Sequence, residues 1–339
     1  MRKKVLCIPT SEHIEYVFSD ETLRRLKDTF KVTSNDLDRN YTSDELAARI
    51  KGFDALITGW GSPQLTEAVF ENADRLRIIA HSAGSVKAIL SKDVVQRHIV
   101  PREICVCNAP KAIAYNVAEA TLGLLIMTGR RLLDHATNVR DKLIWSDPEI
   151  PRGVKTINGA TIGIVGASTV GREVIRLLKP FDSRTLVYDP YLSEEEAENL
   201  GVEKASLEEL FERSDFVSIH APLTGETLHM IDRRLLRLLR DGAILVNTSR
   251  GGVIDPEALI EECATGRILA ALDVTEPEPL PSDSPLRKFG NVIVTPHVAG
   301  HGLYGARKIG EMTLQALEDF FAGREVENRV VMRLYDISA

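Results

Sequence analysis

Cysteine is scarce in this chain, with four residues in a sequence of 339. They are Cys7, Cys105, Cys107 and Cys263. So few thiols exclude a disulfide framework, because small secreted domains that depend on disulfides are rich in cysteine. Cys105 and Cys107 form one close pair, but no second pair completes a zinc site, so no metal centre is predicted. We therefore expect reduced thiols and a cytoplasmic protein.

An excess of basic charge is also missing. The formal net charge is −7 and the isoelectric point is near 5.7. These values argue against a nucleic-acid-binding protein, which usually carries a basic face. No apolar run approaches the roughly 20 residues of a membrane span, and the apolar run at the N-terminus is too short for a signal peptide. The expected partner is a small molecule, with neither nucleic acid nor membrane involved.

The sequence does contain a long alternation of short apolar strands and amphipathic helices. The first series of strands is predicted at Lys4–Pro9, Phe53–Thr58, Leu76–Ala80 and Ile104–Cys107. The second series is predicted at Thr161–Val165, Thr185–Tyr188, Phe216–His220, Ala243–Asn247, Leu269–Val274 and Val292–Thr295. Such βα repetition predicts an α/β protein with two parallel, doubly wound sheets covered on both faces.

Several helices are predicted between and after these strands. The N-terminal series has helical spacing at Asp20–Phe30, and a capping box at Thr42–Glu45 opens a helix that continues to Lys51. A long apolar segment, Tyr115–Leu133, predicts one buried helix, and Tyr304–Gly323 predicts a closing helix. The helices predicted in the second series are Thr169–Leu178, Leu207–Arg213, Arg233–Arg240 and Pro256–Ala264.

A glycine turn joins the first strand of the second series to its helix. The turn consists of Gly166, Ala167, Ser168, Thr169, Val170 and Gly171. The next strand ends on Asp189 and Pro190. A strand, a glycine turn, a helix and a carboxylate at the next strand end together predict a dinucleotide site. The backbone can approach the pyrophosphate at the glycines, and the helix N-terminus offers N–H groups to its charge.

Asp189 bears on the choice of cofactor, and Ser168 bears on how tightly the cofactor binds. Asp189 can accept hydrogen bonds from ribose hydroxyls and would repel a 2′-phosphate, so NAD is preferred over NADP. Ser168 stands where the G-x-G-x-x-G pattern has its middle glycine. Either the phosphates lie slightly further out and the Ser168 hydroxyl donates to them, or affinity is lost; we favour the first.

Three later motifs place candidate catalytic side chains just after strands of the same series. Doubly wound sheets bind their ligands at these strand ends. Arg250 lies in a glycine-flanked turn and can hold a carboxylate with two hydrogen bonds. His297 follows the last strand and can exchange a proton with a carbinol oxygen while hydride passes to or from a nicotinamide. Glu278 can stabilise the charged form of a neighbouring imidazole. Singly they could be a surface arginine, a core histidine and a loop acid; together they predict hydride exchange with a 2-hydroxy or 2-oxo acid.

With these motifs, the sequence resembles the D-isomer-specific 2-hydroxyacid dehydrogenases, and the resemblance covers essentially the whole chain. The N-x-x-R-G, D-V-F-x-x-E-P and T-P-H motifs of that family are matched by Asn247–Gly251, Asp273–Pro279 and Thr295–His297. The resemblance implies that Arg250 binds and polarises the substrate and that His297, paired with Glu278, is the acid/base. It also implies a discontinuous, flavodoxin-like substrate domain at 1–108 and 302–339 and an NAD-binding Rossmann domain at 109–301. Catalysis would lie between the domains, and the family suggests a homodimer.

The resemblance also implies which residues contact ligands. The implied cofactor contacts are Gly166, Ser168, Thr169, Val170, Gly171, Asp189, Pro190, His220, Ala221, Pro222, Thr227, Thr248, Ser249, Arg250, Asp273, His297 and Gly300. The implied substrate contacts are Ser82, Ala83, Gly84, Arg250 and His297.

The sequence departs from the family pattern most in the loop Ser82–Lys87. The family uses backbone N–H groups of a G-x-G-x-D-N segment to hold the substrate carboxylate, whereas only Gly84 of that pattern remains here. Thr275 also replaces an aromatic residue. Lys87 is either a solvated side chain or a cation for a second anionic group on the substrate. These changes leave substrate identity open.

Two other functions are compatible with such a fold. One is an NAD-binding sensor or corepressor-like scaffold without turnover, which the complete set of Arg250, Glu278 and His297 disfavours. The other is formate oxidation, which needs no acid/base; the family branch that carries it usually has glutamine at the position of Glu278.

Overall fold

The computed structural model describes residues 2–37, 39–148, 150 and 154–331. The chain divides into two compact units, unit 1 (Met1–Ile113 with His301–Ala339) and unit 2 (Ala114–Gly300). The sequence-based boundaries, 108/109 and 301/302, lie within five residues of these divisions. The predicted C-terminal part of unit 1 includes 332–339, which are outside the described residues.

The strands of the two units belong to separate parallel sheets. Those of unit 1 are β1 (Lys4–Cys7), β2 (Lys31–Ser34), β3 (Ala55–Thr58), β4 (Ile78–His81) and β5 (Cys105–Cys107). Those of unit 2 are β6 (Thr161–Val165), β7 (Arg184–Tyr188), β8 (Glu203–Lys204), β9 (Phe216–Ile219), β10 (Ile244–Asn247), β11 (Leu269–Leu272) and β12 (Val292–Val294).

The helices lie between the strands along the chain. They are α1 (Ser11–Val17), α2 (Asp20–Thr29), α3 (Ser43–Arg49), α4 (Glu67–Asn72), α5 (Lys92–Val94, continued by a π-helical turn at Val95–Ile99), α6 (Pro110–Gly129), α7 (Leu132–Asp141), α8 (Thr169–Leu178), α9 (Glu194–Leu200), α10 (Leu207–Arg213), α11 (Arg233–Leu238), α12 (Pro256–Ala264) and α13 (Leu303–Ala322). Short 3₁₀ turns occupy Gly251–Val253 and Pro285–Arg287.

The strand orders confirm the predicted fold class. The sheet of unit 1 runs β2-β1-β3-β4-β5, the flavodoxin-like order. The sheet of unit 2 runs β12-β11-β10-β9-β6-β7-β8, which is a Rossmann sheet with one further strand. Both orders reverse direction beside their first strand, so a crevice opens there at the carboxyl ends of the strands.

Both faces of each sheet are buried. Successive side chains of a strand point to opposite faces of the sheet. In β1, Val5 and Cys7 accordingly belong to one apolar cluster of unit 1 and Leu6 belongs to another. The same holds in β6, where Ile164 and Val165 belong to different clusters of unit 2. This two-sided burial explains why these strands are continuous apolar runs.

The helices and strands predicted from the sequence differ from the structure at three places. The predicted helix Tyr115–Leu133 is instead two helices, because α6 ends at Gly129 and Arg131 adopts a left-handed conformation with φ 52° before α7 begins. The edge strands β2 and β8 were not predicted; β2 is largely exposed and β8 has two residues, so neither carries an apolar run. The capping box of Thr42 and Glu45 is confirmed at the start of α3, which ends at Arg49, before the predicted Lys51.

Among the residues that the structure describes, one helix has the length and composition of a membrane span. It is α6, and about half of its most apolar stretch is buried inside the protein. Core helices of soluble proteins have the same properties, so α6 is weak evidence for a membrane location.

Helix α13 packs closely against α1 through Gly310. A β-carbon at Gly310 would collide with the Val17 carbonyl oxygen and would lie 3.1 Å from Phe18 Cα. We therefore expect Gly310→Ala to lower the free energy of unfolding of unit 1 by about 1–3 kcal/mol, because the backbone must move apart to admit the methyl group. Urea unfolding of the variant measures this effect.

Gly123 provides a matched control, because it is also inside a helix and a β-carbon there would meet nothing within 4 Å. Gly123→Ala should be neutral or stabilising by up to about 1 kcal/mol, since alanine favours helix. Equal effects of the two substitutions would contradict the packing argument.

Candidate active site

The predicted site residues of unit 2 follow the carboxyl ends of its strands. The turn that begins at Gly166 follows β6, and Asp189 follows β7. Arg250 lies beyond β10, and the loop of His297 lies beyond β12. Because the strands are parallel, all these segments lie at one edge of the sheet.

The glycine turn requires its glycines. Gly166 has φ 99°, and a β-carbon on it would lie 2.8 Å from the Ala221 backbone nitrogen. A β-carbon on Gly171 would collide with the Gly166 carbonyl oxygen. Two backbone segments therefore meet at the start of α8 with no space for side chains, as the tight turn and the close helix–strand packing of dinucleotide-binding domains require.

Ser168 is the N-cap of α8. Its backbone is extended (φ −63°, ψ 177°), and its Oγ accepts a hydrogen bond from the Gly171 N–H at 3.3 Å. A serine occupies this conformation without strain and is among the preferred N-cap residues. Since Oγ acts as an acceptor in the cap, its own proton remains available for a phosphate oxygen.

The carboxylate of Asp189 contacts the glycine turn. One oxygen accepts from the Ala167 N–H at 2.7 Å, and the other accepts from the Tyr191 N–H at 2.8 Å. These bonds use two of the roughly four acceptor positions of a carboxylate, so hydrogen bonds from ribose hydroxyls are still possible. Pro190 beside it is exposed.

His220 is buried and is the first residue of the segment that follows β9. Its Nε2 lies 2.9 Å from Ser218 Oγ, and its Nδ1 has no partner among the described residues. Burial lowers the pKa of His220 to about 3, so the ring is neutral. The atoms of this segment nearest Gly166 are the His220 carbonyl carbon and the Ala221 backbone. The main chain of the segment therefore contacts the glycine turn.

The other predicted cofactor residues near this edge make hydrogen bonds that shape the loops. Thr227 Oγ1 donates to the Pro222 carbonyl at 2.6 Å. Thr248 Oγ1 lies 2.8 Å from Thr121 Oγ1, and Ser249 Oγ donates to Asn247 Oδ1 at 2.9 Å. Thr169 is exposed, and Val170 and Gly300 are half-buried.

The Arg250 loop is held in place by its neighbours while its guanidinium is exposed. Asn247 Nδ2 donates to the Arg250 carbonyl at 3.0 Å, and Arg250 Nη1 donates to the Ser249 carbonyl at 2.7 Å. A β-carbon on Gly251 would collide with the Thr275 carbonyl group, so the Arg250 and Thr275 loops are in direct backbone contact. Most of the guanidinium donors remain for a ligand.

His297 and Glu278 form the predicted pair. His297 Nδ1 lies 2.5 Å from Glu278 Oε1, and both side chains are about half exposed. Because Nδ1 is occupied by the carboxylate, Nε2 is the nitrogen that can exchange a proton with a ligand. The backbone of His297 has φ 55°, a conformation that non-glycine residues rarely adopt.

Asp273 holds the His297 loop. Its buried carboxylate accepts from Thr295 Oγ1 at 2.5 Å and from the N–H groups of Val298 and Ala299 at 2.9 and 2.8 Å. The His297 N–H also donates to the Asp273 carbonyl at 2.8 Å. These bonds explain how His297 keeps its strained backbone conformation. They also show that the Asp273 carboxylate faces the His297 loop. The predicted contact of Asp273 with a cofactor remains a prediction.

Sequence reasoning missed a second histidine–glutamate pair. His229 Nε2 lies 2.7 Å from Glu276 Oε2, two residues before Glu278. Each of the two glutamates that precede a proline is therefore paired with a histidine. The Glu-Pro-Glu-Pro repeat was the feature of the sequence that could have indicated the second pair, since each glutamate directly precedes a proline.

In unit 1, the loop Ser82–Gly84 follows β4. Both donors of Ser82 are used, because its N–H and its hydroxyl donate to the Thr58 carbonyl at 2.8 and 2.7 Å. The carbonyl groups of Ala83 and Gly84 accept from the Ala109 N–H and from Asn108 Nδ2. If this loop binds a carboxylate, the donors come from Ala83 and Gly84 and not from Ser82. Lys87 is half-buried, and its N–H donates to Ser85 Oγ at 3.3 Å.

Two buried histidines that sequence analysis did not single out support this loop. His13 Nε2 lies 2.8 Å from Ser82 Oγ, and His81 Nδ1 lies 2.8 Å from Thr58 Oγ1. The Ser82 hydroxyl has one proton and gives it to Thr58, so His13 must be the donor in its bond to Ser82. Only the position of His81, directly before Ser82, hinted at this network.

A family model for the NAD-binding domain of D-isomer specific 2-hydroxyacid dehydrogenases matches residues 122–299. The chain belongs to this family. Its predicted class, an NAD-dependent dehydrogenase of 2-hydroxy acids, is thereby confirmed, and a scaffold without turnover is not favoured. Within the described ranges no cluster of three or more metal-binding side chains occurs.

Three relatives illustrate the similarity. A glyoxylate reductase of Korarchaeum cryptofilum is 39% identical over 286 residues, which cover 83% of this chain and 84% of that protein. A D-3-phosphoglycerate dehydrogenase of Methanocaldococcus jannaschii is 36% identical over 293 residues, which cover 86% of this chain and about half (54%) of the relative. The crystal structure of a phosphoglycerate oxidoreductase from Rhizobium etli is 26% identical, with a TM-score of 0.80 and coverage of 97% and 99% of the two chains.

The buried histidines make unit 1 sensitive to acid. Burial lowers the pKa of His13 and of His81 from 6.5 to about 4. The unfolded chain therefore takes up these protons before the folded chain does. Stability is complete above pH 6.5 and is lost as the pH falls from 6.5 towards 4, by roughly 2 kcal/mol for each histidine between pH 7 and pH 5.

Urea unfolding at several pH values measures this slope. His13→Gln should make the dependence between pH 7 and pH 5 shallower, because glutamine does not titrate. Substitution of the exposed His301 by glutamine is the control. An unchanged slope in His13→Gln would contradict the assignment of a buried neutral histidine.

Proposed function

We propose that this protein interconverts a D-2-hydroxy acid and its 2-oxo acid, with Arg250 as the substrate-binding cation and His297 as the acid/base. The observation that carries the proposal is the 2.5 Å pair of His297 and Glu278. This pair lies at the sheet edge that also bears the glycine turn and Arg250.

The glycine turn, the N-terminus of α8 and Asp189 would hold the dinucleotide. NAD, when bound, accepts or supplies hydride at nicotinamide C4. The close backbone packing at Gly166 and Gly171 fixes the turn at the start of α8, and the Ser168 hydroxyl proton can donate to a phosphate oxygen. Asp189 offers a negative charge, which favours NAD over its 2′-phosphorylated form.

The remaining groups have distinct tasks at the substrate. The exposed Arg250 guanidinium can bind the carboxylate and polarise the adjacent 2-oxo group. Within unit 1, the N–H groups of Ala83 and Gly84 are the proposed donors to a substrate carboxylate. In the reductive direction, protonated His297 gives its Nε2 proton to the developing alkoxide, and Glu278 stabilises the positive charge before transfer. In the oxidative direction, the same nitrogen accepts the proton.

Assay with NADH and a panel of 2-oxo acids tests this proposal. His297→Ala should lower kcat by about 100- to 10,000-fold, because the general acid is lost. His229→Ala is the matched control, since His229 forms the same kind of pair with Glu276, which lies on the same loop as Glu278, and should keep activity near wild type. Full activity of His297→Ala, or no NADH oxidation by the wild type with any 2-oxo acid, would refute the assignment.

We also propose that the protein is a homodimer in the cytoplasm. Helix α7 and the segment after it expose six large apolar side chains within 14 residues. These are Leu132, Leu133, Val139, Leu143, Ile144 and Trp145. Leu143 is 87% and Trp145 89% exposed, which is costly for a monomer in water. The four cysteines are buried free thiols, which suits a reducing compartment.

The oligomeric state can be measured by light scattering after size exclusion. Wild type should elute as a dimer, and Leu143→Glu with Trp145→Glu should give a monomer, because two charges would be buried without partners. Val100→Glu, at another exposed apolar residue, is the control. A monomeric wild type would contradict the proposal.

A further inference from the structure

A cationic pocket lies at the amino ends of β1 and β2 in unit 1. It has a volume of about 520 Å³ and is lined by Arg2, Lys4, Lys27, Phe30, Lys31 and Val32. Four of these six residues are positively charged, and none of the described residues that line the pocket is acidic. The chain as a whole has a net charge of −7, so this excess of positive charge is local.

The basic side chains of the cationic pocket are not neutralised by carboxylates. Elsewhere on α2 an ion pair does form, since Arg25 lies 2.8 Å from Glu318. Within the described ranges, none of the four basic side chains of the pocket forms an ion pair. The carboxylate of Asp54 accepts from the Lys4 N–H at 2.9 Å, but its charge is balanced by Arg75 at 2.8 Å. The positive charges of the pocket therefore remain available to a ligand.

The strand register holds two of the lysines side by side. Strands β1 and β2 pair in parallel with Lys4 directly opposite Lys31. Neighbouring strands lie about 4.8 Å apart, and residues opposite each other point to the same face of the sheet. Like charges directly opposite each other destabilise a sheet. This pair therefore lowers the stability of the free protein, and a bound anion would relieve the repulsion.

Protection of a sheet edge does not account for these charges. Lysines on an edge strand discourage pairing with other chains, and Lys31 on β2 can have that role. Lys4, however, is on β1, which lies between β2 and β3 inside the sheet. Lys27 is on α2, and Arg2 precedes β1. Only one of the four cations is thus where edge protection would place it.

The end of α2 shapes one side of the cationic pocket. Arg2 Nη1 donates to the Lys27 carbonyl at 3.4 Å in the last turn of this helix. The bond covers a carbonyl whose partial negative charge would repel an anion, and it uses one of the five N–H donors of the guanidinium. Phe30, which is 4% exposed, and the half-buried Val32 provide the apolar part of the lining. Charges interact more strongly beside such apolar surface, because the local dielectric constant is lower.

We propose that the cationic pocket binds a polyphosphate anion. Four cations around one cavity match a ligand with several negative charges better than they match a single carboxylate. Lysine and arginine are suited to phosphate groups, lysine as a point charge and arginine through paired hydrogen bonds. The volume of the pocket is also within the range of small-molecule sites.

The cationic pocket is separate from the loop that is expected to bind the substrate. The pocket lies at the amino ends of its strands, whereas Ser82–Gly84 follows the carboxyl end of β4 in the same parallel sheet. A polyphosphate bound in the pocket would therefore not compete with a substrate carboxylate at this loop. The inference is independent of the proposed function.

Isothermal titration calorimetry with inorganic triphosphate tests the proposal. NADH is kept saturating so that the dinucleotide turn is occupied, and the ionic strength is held constant because salt screens exposed charges. Wild type should bind one triphosphate, and orthophosphate should bind at least about 10-fold more weakly, because it can contact fewer cations. Equal affinities for the two anions, or no binding of triphosphate, would overturn the inference.

Lysine substitutions locate the site. Lys4→Gln with Lys31→Gln should raise the Kd for triphosphate by about 10-fold or more, because charged hydrogen bonds are lost. Lys179→Gln with Lys288→Gln is the matched control, since it removes the same charge from two exposed lysines of unit 2. The control should bind like wild type. An equal rise of Kd in both double variants would mean that net charge alone attracts the anion, which would refute a defined site.

Urea unfolding separates a binding role of these lysines from a role in folding. With NADH present throughout and no phosphate, the Lys4→Gln, Lys31→Gln variant should unfold at the same or a higher urea concentration than wild type, because a repulsion is removed. Triphosphate should raise the midpoint of wild type and not that of the variant, since a ligand of the folded state stabilises it. A lower midpoint of the variant without phosphate would contradict the inference.

Discussion

The carboxylate of Asp273 is the interaction on which the candidate active site of unit 2 depends. A buried carboxylate is stable only when its oxygens are well supplied with donors. Thr295, Val298 and Ala299 provide three of them, all from the loop that bears His297. The strained conformation of His297 persists because this network surrounds it on both sides.

Unit 1 solves a similar problem with uncharged groups. Ser82, the first residue of the loop Ser82–Gly84, is hydrogen-bonded to the Thr58 carbonyl and to the neutral ring of His13, and the neutral ring of His81 is hydrogen-bonded to the Thr58 hydroxyl. A neutral network avoids placing a buried negative charge below a loop that is expected to receive a substrate carboxylate. This neutral network is lost in acid, because both rings stay unprotonated only while the pH is well above their pKa of about 4.

The sequence predicted the parts of the fold that are governed by local pattern. Strands such as β6 and β10 are buried on both faces and form unmistakable apolar runs, whereas β2 and β8 lie at sheet edges and lack that pattern. The break between α6 and α7 was missed because the left-handed residue is an arginine, for which sequence gives no signal. Motifs identified Arg250, Glu278 and His297, because each lies in a recognisable short segment.

What the sequence did not predict is the connection between distant residues. His13, Thr58 and Ser82 are brought together by helix packing and strand register, and nothing in their spacing indicates it. The same applies to Asp189, whose carboxylate was expected to face a ribose and is also hydrogen-bonded to the glycine turn.

Ser168 has a consequence for how such turns are recognised. The middle position of the turn has an extended backbone with negative φ, which any residue can adopt, while Gly166 and Gly171 have no space for a β-carbon. The fold of this turn therefore requires two close backbone approaches and a helix N-terminus, and it accepts a helix-capping serine between the two glycines. A search pattern that insists on three glycines would overlook this chain.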